Sequence, residues 1–157
     1  MQHPELLTFK NIEAAFAGES MAHLKYRYFA KLARAAGDEE TARIFEEIAD
    51  QEIQHAFSHL DLLYPKAEMT SAICLEIAIA GETYEYTEMY PAFRRTAEQE
   101  GQTAAVDEID AQIAESQTHA ARFQAVLEKA AKRFAALAKV EERHANQYRA
   151  ALQKVAA

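Results

Sequence analysis

From Gln102 to Ala157 the chain contains no glycine and no proline, and all 157 residues hold only four glycines and three prolines. Those two residue types end helices and shape the turns between strands, so a chain this poor in them has few places to stop a helix. Alanine, leucine, glutamate and lysine dominate the remainder, apolar residues recur at spacings of three and four, and no alternating strand pattern competes. The fold class is therefore all-α. Helices that each hide one face pack into an antiparallel bundle, and a chain of this length forms one domain, residues 1–157, without needing disulfides.

Cys74 is the only cysteine, which excludes a disulfide framework and a cysteine-built metal site within the chain and fits a reducing, cytoplasmic setting. The opening MQHPELLTFKN lacks the basic start and apolar core of an export leader, and no apolar run reaches the roughly 18 residues a membrane helix needs. A net charge of −8 with no dense basic cluster argues against nucleic acid and anionic membranes as partners. Cations are the natural partners instead.

The first helix is expected from Thr8–Asn11 to about Ala36, with Ile12, Phe16, Glu19, His23, Tyr26 and Ala30 on one stripe. Gly37 is a natural stop and Asp38 a natural N-cap, so a second helix follows at once, carrying Ile44, Ile48, Glu52, His55 and His59, and ends before Pro65. Glu19 lies 18 residues before Gly37 and Glu52 lies 15 after it, so a hairpin sets the two face to face about 25 Å from the turn. Ser71 can cap a third helix running to Glu100 and Gly101, with a kink at Pro91. The two halves read as a repeat, AFAGES ending at Ser20 and AIAGET ending at Thr83, each leading through a Tyr-rich segment and a glycine-marked turn to a histidine-bearing helix.

The chemical candidates are Glu19, Glu52 with His55, Glu82 with Glu85, and Glu141 with His144. Two of these groups are ExxH, which puts a carboxylate and an imidazole on one helical face one turn apart, the arrangement by which four-helix bundles hold a pair of iron or manganese ions. Any one glutamate alone reads as a solvated surface charge. Their shared placement on inward stripes is what points to metal, because several buried carboxylates need cations to offset them. Hard oxygen ligands with imidazole suit iron and manganese better than zinc. His23, His59 and His119 read as supporting or surface residues. Tyr26 and Tyr148, seven residues after Glu19 and Glu141, are placed to hydrogen-bond to ligands, to relay electrons, or simply to fill the core.

The stretches FAGES, ADQEIQHA, AIAGETYEYTEMYPAF and ALAKVEERHANQY resemble the rubrerythrins, which are ferritin-like diiron proteins. The resemblance implies a ferritin-like antiparallel four-helix bundle with an extended C-terminal helical segment, and two iron ions as cofactor, manganese or mixed metals being the other loading. It implies Glu19, Glu52, His55, Glu82, Glu85, Glu141 and His144 as metal ligands, with Glu52 and Glu141 bridging. The implied activity is reduction of hydrogen peroxide to water under oxidative stress, with Glu85 and His55 exchanging on one metal as iron is reduced and Tyr26 as a third catalytic candidate. Rubrerythrins proper carry a rubredoxin centre on four cysteines; with one cysteine here, electrons are expected from an external donor such as a rubredoxin-like protein or a reductase. A ferroxidase or other oxygen-using diiron or manganese oxidase is the alternative within this architecture, and a metal-free helical interaction protein is the alternative outside it.

The segment before the last ExxH is about two dozen residues longer than the resemblance leads one to expect, and Ser116 and His119 occupy the register matching Glu52 and His55. Three arrangements follow. The third helix runs through Gly101 and turns near residue 113; or the last segment is exchanged between the subunits of a homodimer, completing each site in trans; or Ser116 and His119 serve the site, leaving it one carboxylate short. Glu141 and His144 are the assignment adopted.

Overall fold

The computed structural model describes residues 6–155. The rest of the opening stretch read above for an export leader lies outside the described residues. The helices are α1 (Leu7–Ala35), α2 (Glu39–Leu63), α3 (Ser71–Tyr84), α4 (Tyr90–Gln99) and α5 (Thr103–Val155), with one π-turn, Glu85–Met89, joining α3 to α4. Among the described residues there is no strand, and no helix is long and apolar enough to cross a membrane. The chain divides into two compact units, Met1–Met69 and Thr70–Ala157, each built around a helical hairpin.

In the first unit the turn forms as its residues dictate. Gly37 adopts a φ of 82°, in the left-handed region that glycine enters without a side-chain clash. Its N–H donates to Arg34 O at 3.0 Å, and the Asp38 N–H donates to Ala33 O at 2.9 Å, the paired bonds of a Schellman turn. Asp38 then caps α2, its Oδ1 accepting the Thr41 N–H at 3.0 Å. The seam between α1 and α2 is lined by small residues. Ala42, Ala49 and Ala56 recur every seven residues and are fully buried with Ala30, which lets the backbones approach closely. His23 ties the seam by donating from Nδ1 to Ala49 O at 2.7 Å. Phe45 packs between Tyr26, 5.9 Å away between ring centres, and Phe29, 5.6 Å away and edge-on.

The second unit departs from the sequence reading at three points. The cap of α3 is Thr70, whose Oγ1 accepts the Ile73 N–H at 3.3 Å, and Ser71 is the first helical residue. Where one kinked helix was expected at Pro91, the chain instead widens into a π-turn, the Tyr90 N–H donating five residues back to Glu85 O. Proline lacks an N–H and its ring crowds the preceding turn, so a wider turn just before Pro91 relieves both problems. Finally, the hairpin turns at Gly101, not near residue 113. Gly101 has a φ of 70°, and its N–H and that of Gln102 bond Glu98 O and Ala97 O at 3.1 and 2.9 Å, a second Schellman turn. A glycine in that conformation ends α4, so α5 starts at Thr103 and runs 53 residues, about 80 Å.

Gly37→Ala forces a Cβ into left-handed backbone and should destabilise the hairpin by about 1 kcal/mol in denaturant unfolding, with no steric contact to blame, since nothing lies within 4 Å of the added atom. Asp38 holds its carboxyl below the usual carboxylate range because its oxygens accept from Thr41. Its contribution is therefore present above the ordinary aspartate pKa and lost as pH falls through the lowered one. Asp38→Asn should keep a cap while flattening the acid limb of the thermal midpoint against pH; an unchanged limb contradicts this.

Candidate metal centre

In the first hairpin Glu19 comes from α1, and Glu52 and His55 from α2. One ligand atom from each of these three residues lies within 4.8 Å of the others, the convergence that their distances from Gly37 require. His55 Nδ1 stands 3.2 Å from Glu52 Oε2, the turn-spaced contact of an ExxH pair. Glu19 is pushed above the usual glutamate range, first by the hydrogen bond it shares with Glu52, then by burial and by the Glu52 charge, against the opposing pull of His55 and His59. Two carboxylates share a space that suits one negative charge. A cation between them relieves the repulsion directly.

In the second hairpin α3 and its π-turn present Glu82 and Glu85 to α5. His119 Nδ1 stands 3.4 Å from Glu82 Oε1, and the buried Ser116 donates from Oγ to Glu85 Oε2 at 3.0 Å. The second oxygen of Glu82 is buried with no hydrogen-bond partner among the described groups. An orphaned carboxylate oxygen costs free energy that a bound cation removes. Tyr90, one turn beyond Glu85, has its hydroxyl pushed up by burial and by the charges of Glu85 and Glu82.

Glu141 and His144 do not join this group. They form a loose pair at 3.7 Å, both more than half exposed. Because α5 is continuous, Glu141 lies 25 residues, about 37 Å, beyond Ser116, so these two cannot reach the ions that Glu82 and Glu85 of the same hairpin face. Tyr148 is likewise exposed at 75%, whereas Tyr26 sits in the aromatic contact with Phe45. Ser116, His119 and Tyr90 are what the assignment from sequence left out. The register that matches Ser116 to Glu52 was the signal for the first two.

A model of the rubrerythrin family matches residues 10–127. The chain belongs to the rubrerythrin family. The chain is 43% identical over 105 residues to a rubrerythrin of Porphyromonas gingivalis, covering 60% of this chain and 52% of that protein. It is 40% identical over 129 residues to a nigerythrin of Nitratidesulfovibrio vulgaris, covering 74% and 63%. A solved structure of nigerythrin in a mixed-valence state is 34% identical over 81% of this chain and 68% of its own, with a TM-score of 0.39. The chain thus spans between half and two thirds of the length of those two curated relatives. Rubrerythrins are diiron proteins, and the donors here, carboxylates with imidazole and an orphaned buried oxygen, suit iron. The rubrerythrin match contains Ser116 and His119 and stops before Glu141 and His144.

If Glu19 and Glu52 repel in the absence of metal, Glu52→Gln should raise the thermal midpoint of chelator-treated protein at neutral pH, and a lowered midpoint contradicts this reading.

Proposed function

We propose that the protein reduces hydrogen peroxide to water at a non-haem diiron centre, in one ferritin-like domain to which both hairpins contribute ligands. The observation that carries this reading is the matched donor content of the hairpins: Glu19, Glu52 and His55 in one, Glu82, Glu85 and His119 in the other. Family membership supports the diiron assignment, and peroxide reduction extends it to this chain. When bound, two ferrous ions supply the two electrons that, with two protons, turn one hydrogen peroxide into two waters. Electrons return from an external donor, a rubredoxin-like protein or a reductase.

The chain's own residues have definable parts. Glu19 and Glu52 hold negative charge close together and so favour a cation. Glu52 orients His55 through the contact at Nδ1, leaving Nε2 as the free ring nitrogen. Tyr90, whose buried hydroxyl keeps its proton more firmly than an ordinary tyrosine, offers a hydrogen bond near Glu85 without ionising. Tyr26, packed on Phe45, is a rigid neighbour of α2.

The active form is proposed to be a homodimer. Phe134, Leu137, Tyr148 and Leu152 follow helical spacing along α5 with at least half of each surface exposed, more apolar area than a helix leaves to water without a partner. Sedimentation should show twice the chain mass.

With the reduced iron-loaded protein, stoichiometric peroxide should restore the oxidised absorption at least roughly tenfold faster than the same concentration of oxygen. Faster reaction with oxygen would favour an oxidase or ferroxidase instead.

A further inference from the structure

The two hairpins are near-copies whose small mismatches locate a substitution of one ligand by another. Glu19 and Glu82 are 63 residues apart; Gly37 and Gly101, Glu52 and Ser116, and His55 and His119 are each 64 apart. Gly37 follows Glu19 by 18 residues, whereas Gly101 follows Glu82 by 19. The second hairpin has therefore gained one residue between its first glutamate and its turn. The π-turn at Glu85–Met89 is where that residue is absorbed, since a π-turn is a helix carrying one extra residue in a single turn. Glu85 opens that turn. Its counterpart in the first hairpin is Ala22, and the counterpart of Glu52 is Ser116. The second hairpin has lost a carboxylate on one helix and gained one on the other.

The contacts join the two changes. Ser116 is buried and spends its hydroxyl on Glu85, donating to Oε2 at 3.0 Å. His119, one turn further along α5, faces Glu82. We infer that Glu85 takes the ligand place that a glutamate at position 116 would fill, with Ser116 as the residue that positions it, so that each hairpin still offers two carboxylates and one imidazole. This rests on the diiron reading above. A carboxylate held by a buried hydroxyl is a fixed ligand, which sets this chain apart from the exchange of Glu85 and His55 that the rubrerythrin resemblance implies.

The test counts ferrous iron bound per chain after anaerobic loading and desalting, with ferrous affinities from calorimetric titration. Wild type should hold two ions and Glu85→Ala one, and adding Ser116→Glu to Glu85→Ala should restore the second. Ser116→Ala should weaken the second ion about tenfold, as loss of one hydrogen bond predicts, and Ser116→Thr should bind as wild type does. Glu141→Ala should keep both ions. Two ions retained by Glu85→Ala, no restoration in a double variant whose circular dichroism matches wild type, or an ion lost by Glu141→Ala would overturn the inference while leaving the diiron reading intact. If the double variant does not fold, equal affinities in Ser116→Ala and Ser116→Thr overturn it. Wild type that binds no iron would overturn both.

Discussion

The constraint on which this structure turns is that carboxylates have been placed where helices meet, and charges there must be offset. Glu19 and Glu52 crowd one another closely enough that one of them holds its proton above the ordinary range, and Glu82 leaves a buried oxygen unbonded. An apolar residue at any of these positions would make a more stable hairpin. Retaining four acidic groups on the two seams makes sense for a protein whose folded state binds cations, because binding energy then adds to stability.

The helices are otherwise arranged to bring those groups together with little else. Fully buried side chains are confined to small residues, Ala30, Ala42, Ala49, Ala56 and Ala97 with Ser116, while Leu24, Tyr28, Ile44 and Phe57 stay largely exposed. Small residues set a close helix spacing, and close spacing lets a short carboxylate on one helix reach its partner on the other. Two glycine turns of the same construction fix the register, so the ligand groups lie at matched distances from Gly37 and Gly101.

Much of this was readable from sequence because it depends on local chemistry. Gly37 followed by Asp38 announces a stop and a start, and counting from that turn pairs Glu19 with Glu52. The second hairpin was harder. Gly101 was set aside as a mid-helix glycine because the complete ExxH at Glu141 drew the turn toward residue 113, and a motif of two common residues outweighed a turn residue with a defined conformation. The π-turn escaped because one extra residue barely disturbs an apolar period; only the comparison of 18 with 19 residues between glutamate and glycine betrays it. The bond between Ser116 and Glu85 needs the fold itself, since nothing local to either residue names the other.

Magnetic measurement of the oxidised, iron-loaded protein tests the central claim most directly, because only a centre shared by two ions couples their spins. Mössbauer spectra at low temperature and in applied field should show a spin-coupled diferric pair with no net moment. Isolated high-spin ferric ions, or a protein that takes up no iron, would contradict the account.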